Sequence, residues 1–394
     1  MDIATAPTRD ELVRRASELV PLLQKHASWA EENRRLPDEV VEAIEDAGLL
    51  RLRVPARYGG YECDTRTVVD VVTELARGDA STGWTFAVWS ICSWLTGLFP
   101  DEVQDEVFAT PDVRVSGLLS PGGAATPADG GLTVNGRWAF NTGALHSQWN
   151  SIVAMAPTPD GAGQWPVLAL VPVSDLEIVD DWHTSGLRAS GSVTTVARDL
   201  FVPMRRVLPM GPVLQEHYAS ERNAATPVYR TPMLPTAATS TVGTVLGLAR
   251  AAREVFFERL PGRKITYTAY ESQREAPITH LKVAKAAALI DEAEFHAHRA
   301  AALLDHKSAA GEEWEIEERA RIRLDLGCAY ERAKEAVDVY NSASGASSVY
   351  TSVPMQRIAR DVQTLNLHAI LHPDTNYELY GRVLCGLEPN TLYI

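Results

Sequence analysis

The order of apolar and polar positions divides the chain into three textures. From Asp10 to about Val107 the period is helical. "RDELVRRASELVPLLQKHA" is amphipathic, and "RLPDEVVEAIEDAGLL" carries Pro37 near a helix start and Gly48 at a stop. After the loop "GGYECD", the stretch from Thr65 to Phe99 predicts two helices, the second so apolar that it must be buried. From about Val113 to Pro209 the runs shorten and alternate. Asn135-Gly136 between alternating apolar residues predicts a hairpin turn there. "NSIVAMAP", "WPVLALVPV", "LEIVDDW" and "SVTTVARDLFVP" follow as short strands, the spacing of a small antiparallel barrel or sandwich. From about Pro232 long helices return. One is expected over roughly 237–259. Stripes over Val283–Leu304 and Ile322–Tyr340 mark two more, and Met355–Leu371 a fourth, enough for an antiparallel bundle. The expected organisation is mainly α with a central β-domain: helices over 1–110, strands over 111–212, a four-helix bundle over 213–394.

Composition narrows the function. A net charge of −14 argues against nucleic acid or an anionic membrane as partner. The four cysteines, Cys63, Cys92, Cys328 and Cys385, lack C-x-x-C spacing, which fits a reducing cytoplasm better than a disulfide or zinc framework. "MDIATAPTRDELVRR" lacks a basic-then-apolar signal, and no run approaches the roughly 18 apolar residues of a membrane span. None of the ten histidines has Glu three residues before it, so a di-iron bundle is disfavoured. G-x-G-x-x-G after a strand, a P-loop and a G-x-S-x-G elbow are all lacking.

One segment retains a chemical question. In "RDVQTLNLHAILHPDTN", Ile358, Val362, Leu365 and Ala369 repeat as a buried helix face. Arg357, Asp361, Thr364 and His368 repeat at the same steps and form a polar stripe with one titratable ring. That stripe is either a solvated face or the wall of a site. His372, before Pro373, reads as a helix-end residue. His296 and His298 cannot share one helix face as metal ligands, and "EEWEIEERARIR" reads as a charged helix face.

Four local patterns, in order, resemble the acyl-CoA dehydrogenase fold over nearly the whole chain: "LLSPGGAA" (118–125), "GRWAFNTG" (136–143), "GLRASGSVTTVARDLFVP" (186–203) and "PMQRIARDVQ" (354–363). The dehydrogenases of that family use a glutamate base. Here one family position for it is Ala369, and the other, on the first bundle helix, lies in a stretch from Pro232 to Arg253 without an acidic residue. "GDASTGW", "NTGALHSQW", "GLRASGS" and "PMQRIARD…LHA" resemble more closely the two-component flavin-dependent monooxygenases of the same fold, above all the steroid-ring hydroxylases.

That resemblance implies an oxygenase component taking reduced flavin, FADH2 or FMNH2, from a separate NAD(P)H:flavin reductase, with O2 as co-substrate and no metal. Through a C4a-hydroperoxide it would hydroxylate a phenol- or indole-type aromatic. The alternatives are an acyl-CoA dehydrogenase or an amine N-oxygenase of the same fold. His368 would be the substrate base, since a histidine can take a phenol proton at neutral pH. Asn141 or Thr142, at the position of the family's Ser-Ser-Gly, would accept from flavin N5–H. Ser120, Ser190 and Ser192 would lie along the flavin. Arg263 either grips a flavin phosphate or is solvated. Trp84, with Trp89 and Trp94, is either core or a wall for a flat substrate. His146 is divided between site and structure. The resemblance and the Ala-rich helices further imply a homotetramer.

Overall fold

The computed structural model describes residues 6–158 and 160–394; the first five residues of the amino-terminal stretch considered for a targeting signal lie outside the described residues. Helices open the chain: α1 (Arg9–Asn33), α2 (Asp38–Asp46), α3 (Thr65–Gly78), α4 (Ala80–Thr96) and α5 (Asp101–Val107). The α3–α4 corner rests on Asp79. It ends one helix and caps the next, its carboxylate accepting from the Thr82 N–H and hydroxyl, each at 2.8 Å. As its apolar run predicts, α4 is buried along nearly its whole length.

Seven strands follow: β1 (Val115–Ala128), β2 (Gly131–Trp138), β3 (Trp149–Pro157), β4 (Gln164–Pro172), β5 (Glu177–Val179), β6 (Thr194–Pro203) and β7 (Val207–Pro209). They form one sheet in the order β5-β6-β2-β1-β3-β4-β7. All its ladders are antiparallel except β1 with β3, which is parallel. The β1–β3 register slips between Gly117 and Pro121, leaving Leu118, Leu119 and Ser120 outside the ladder. The hairpin expected at Asn135-Gly136 is corrected. The β1–β2 turn is Asp129-Gly130, with Gly130 at φ +73°. Asn135 instead sits inside β2 at a register shift against β6, where its amide exchanges hydrogen bonds with Asp199, itself at φ +47°.

The chain returns to helices with α6 (Met210–Leu214), α7 (Met233–Thr241), α8 (Gly243–Arg259), α9 (Pro277–Ala310), α10 (Ile316–Ala343), α11 (Pro354–Leu365) and α12 (Pro373–Leu384). The single helix expected over 237–259 is two, interrupted at Val242. The helix expected to reach Leu371 stops at Leu365, so the polar stripe is not continuous and His368 lies in a turn. Alanines of α9 (Ala293, Ala297, Ala301) meet Ile322, Leu326 and Val337 of α10 in a core that also takes in Trp84 and Leu187. This core joins the bundle to α4 and to the loop before β6. Among the described residues, no helix is long and apolar enough to cross a membrane, and none of the described His, Cys, Asp and Glu residues cluster as a metal site would require.

Candidate active site

The site begins with the segment leaving β2. Phe140 takes φ +63° and Gly143 φ +79°, so the chain turns sharply around Asn141 and Thr142. The two neighbours consequently face different surroundings. Asn141, fully buried, gives its Nδ2 to Thr195 Oγ1 at 2.8 Å and accepts from Asn150 Nδ2 at 2.9 Å. Its amide is committed to a network within the sheet. Thr142 faces α4 and the loop before β6: Trp84 Nε1 donates to its hydroxyl at 3.2 Å, and Ser192 Oγ lies 2.7 Å away.

The hydroxyls form a chain whose polarity can be worked out. Ser190 Oγ donates to the Leu187 carbonyl at 2.8 Å, which uses its one proton. The 2.8 Å contact between Ser190 and Ser192 must then be donated by Ser192, and the 2.7 Å contact between Ser192 and Thr142 by Thr142. Thr142 Oγ1 has two lone pairs, of which Trp84 takes one. One acceptor lone pair is left over.

Helix α11 anchors the far end of that chain. Leu187 sits at φ +49°, and its N–H donates to Asp361 Oδ1 at 2.6 Å. Gly186 permits the approach, since a Cβ there would stand 2.4 Å from the Arg360 carbonyl oxygen. Asp361 is 3% exposed, and burial pushes its carboxyl up to about 7, opposed by the Leu187 N–H and reinforced by the Asp79 charge. Burial likewise raises Asp79. Neither Asp361 nor Thr364 bonds His368 in the described structure: Asp361 holds the Leu187 N–H, and Thr364 bonds back to the Arg360 carbonyl at 3.0 Å.

His368 reaches the cluster from the turn after α11. Its ring stands 5.4 Å from Trp84, inclined at 66°. It is exposed, with protein atoms crowded around one side of the ring. Burial, and after it the charge of Arg323, push the ring down to about 4, so it is neutral at physiological pH.

Trp84, Thr142, Ser190, Ser192 and His368 are thus joined. The other candidates lie apart. Ser120 is exposed in the unpaired stretch of β1. His146, in the turn after Gly143, packs edge-on against Trp89 at 6.3 Å and is pushed down to about 4 by burial and Arg35. Arg263 donates to the Ser344 carbonyl. A cavity of about 280 Å³ is lined by Tyr218, Tyr229 and Trp314 instead of the cluster residues. Sequence reasoning missed Asp361 and Arg323 as supports. The Arg-Asp pair of "RIARD" was a signal for the first; a buried arginine inside a charged helix face gave none for the second.

Comparison with known proteins bears on this arrangement. Residues 9–111 match the acyl-CoA dehydrogenase N-terminal domain and residues 240–373 its C-terminal domain. The flavin-dependent monooxygenase oxygenase subunit HsaA of Rhodococcus jostii (strain RHA1) is 33% identical over 377 residues, 95% of this chain and 98% of that protein. The chain belongs to the flavin-dependent monooxygenases of the acyl-CoA dehydrogenase fold. The FADH(2)-dependent resorcinol hydroxylase oxygenase component of a Rhizobium species is 30% identical, covering 97% of this monooxygenase and 96% of its own length. The structure of XiaF from a Streptomyces species, solved with FADH2 and glycerol, superposes with a TM-score of 0.91 at 35% identity, covering 97% of each chain. The dehydrogenase and amine N-oxygenase alternatives are not favoured.

Proposed function

We propose that the monooxygenase hydroxylates an electron-rich aromatic, a phenol or indole, in catabolism or natural-product synthesis, with His368 as the substrate base for a phenol and Thr142 as the acceptor for flavin N5–H. The single observation that carries this is the polarised hydroxyl chain, which leaves one lone pair on Thr142 beside the Trp84 ring that also meets His368. A flavin fits the residues present. Its N5–H needs an acceptor, and the stretch Leu118–Ser120, outside the β1–β3 ladder, offers backbone polar groups to a flat ring edge. Ser192 and Ser190 hold the Thr142 proton away from the cofactor. Bound reduced flavin, FADH2 or FMNH2 delivered by a separate reductase, would activate O2 and supply the oxygen atom.

The protein's own work is then to exclude water, hold one acceptor and move one proton. Trp84 gives a buried aromatic wall. His368, neutral above about pH 4, is the group that takes the proton of a phenolic substrate as the substrate ring attacks. Asn141 serves the sheet. His146 is placed by packing on Trp89 and lies outside this chemistry, and Arg263 fits its Ser344 contact better than a phosphate. Exposed apolar side chains on α9, Leu281 at 73% and Phe295 at 58%, support a homotetramer. Four free cysteines fit the cytoplasm.

Thr142→Val against Thr142→Ser tests the central assignment. Valine should release H2O2 at the expense of hydroxylated product, while serine, which preserves the chain, should couple as wild type does. Equal coupling in all three proteins rejects Thr142 as the flavin acceptor.

A further inference from the structure

Arg323 of α10 is 4% exposed, and each of its described hydrogen bonds goes to a neutral oxygen. Nε donates to Asn376 Oδ1 at 2.7 Å, Nη1 to the Tyr393 carbonyl at 2.5 Å and Nη2 to the Ile370 carbonyl at 3.0 Å. A buried cation without a counter-ion is expensive to keep. Burial pushes this guanidinium down to about 10, which leaves it charged at neutral pH.

Its partners show where that charge is directed. Ile370 lies two residues beyond His368, in the turn that replaces the expected helix. The Ile370 carbonyl also accepts from Asn376 Nδ2 at 3.1 Å, so two side chains pin one oxygen of that turn. Gly327, one turn along α10, allows α12 so close: a Cβ there would stand 3.1 Å from the Asn376 Cβ. The third ligand, Tyr393, donates its own hydroxyl to the Leu119 carbonyl at 3.1 Å, in the unpaired stretch of β1. One cation therefore ties together the His368 turn, α12 and, through Tyr393, the unpaired stretch of β1.

We propose that Arg323, with Asn376, is the positioning residue of the proton acceptor: the two side chains fix the His368 turn through the Ile370 carbonyl. This rests on the reading of His368 as the base. Of the neighbours described for that ring, α10 presents Arg323 and α4 presents the uncharged Trp84. The Arg323 charge adds to burial in lowering the proton affinity of the ring, so what Arg323 contributes to turnover is placement: a base displaced by an ångström loses much of its rate.

The test compares R323Q, R323K and N376A in the full-length protein. Histidine titration is followed by ¹⁵N NMR without flavin, with the His368 signal identified by its loss in H368Q. In R323Q the His368 midpoint should move up the pH scale by at least about 0.5. In R323K and N376A, which keep the charge but loosen the Ile370 anchor, it should stay near wild type while kcat falls by roughly 10- to 100-fold with KM retained. R323Q combined with H368A should cost no more turnover than H368A alone. Wild-type kcat in folded R323Q overturns the inference. So does multiplication of the two costs in the double variant, or a kcat loss in R323K and N376A that only tracks melting temperature. If R323Q does not fold, R323K and N376A still decide: normal kcat in both contradicts the positioning role. Wild-type turnover by H368A would instead defeat the base reading and leave the titration comparison intact.

Discussion

Asp361→Asn should make the protein more stable at pH 8 than wild type, and progressively less so toward pH 5. The wild-type carboxyl is held at about 7 in the fold against 3.8 in a free chain. Its folded pKa is raised, so the stabilising effect of the bound proton is fully present below about pH 3.8 and is lost as pH rises through 7. A tenfold change in proton affinity between the folded and free chains corresponds to about 1.4 kcal/mol. Between pH 5 and pH 8 wild type therefore loses about 2–3 kcal/mol through this one group. Asparagine cannot ionise, yet its Oδ1 can still accept the Leu187 N–H that Asp361 holds at 2.6 Å. Its amide also relieves the repulsion from Asp79. Urea titrations of both proteins at pH 5, 6, 7 and 8 give the comparison. The gain of the variant over wild type should grow by about 2–3 kcal/mol across that range. A constant difference would show that Asp361 does not titrate in this window and would refute the reasoning. Asp361→Ala is the control: it leaves the buried Leu187 N–H unpaired and should cost about 1–3 kcal/mol where asparagine does not.

The remaining predictions concern the chemistry and the assembly. His368→Ala should slow oxygen transfer by roughly 10²–10⁴-fold. The acid limb of wild-type turnover should lie near pH 4, where the ring gains its proton, and a limb at the free-histidine value would contradict the burial of the site. Asn141→Ala should cost about 1–3 kcal/mol by stranding Asn150 and Thr195, with product formed per O2 consumed unchanged; a rise in H2O2 release would reassign the flavin contact to Asn141. Light scattering at micromolar protein should give four times the chain mass of 43.1 kDa, and a monomer would remove the reading of the exposed α9 residues as interface.

Much of the fold was legible because periodicity is a local record of burial. The α3–α4 pair, the switch to short strands and the long α9 and α10 stripes follow from which positions had to be covered. What was not legible depended on competition between sites of equal local merit. Asp129-Gly130 and Asn135-Gly136 are both good hairpin turns, and only the pairing of β2 with β6 makes the second a register shift. The end of α11 was missed for a similar reason. Ala369 continues the apolar repeat in the sequence, but tertiary contacts from Arg323 and Asn376 capture the Ile370 carbonyl and hold a turn there. In the site, the residue types were legible and their directions were not. Nothing in "FNTG" says which of two adjacent polar side chains looks into the sheet; the positive φ of Phe140 decides it.

That direction has a consequence for how the proposed roles depend on one another. The free lone pair on Thr142 exists because every proton in the hydroxyl chain runs toward the Leu187 carbonyl. Leu187 is held in its left-handed conformation by Asp361, so α11 sets the polarity of the cofactor side. The same helix, by stopping at Leu365, releases His368 to meet Trp84 and so sets the substrate side. Trp84 links the two, since its N–H occupies the other lone pair of Thr142 while its ring touches His368. Acceptor and base are therefore spaced by one rigid helix and one buried indole, which is the kind of support that a site needing close positioning requires. A change in α11 should disturb coupling and oxygen transfer together, whereas a change at Thr142 or at His368 should disturb only one.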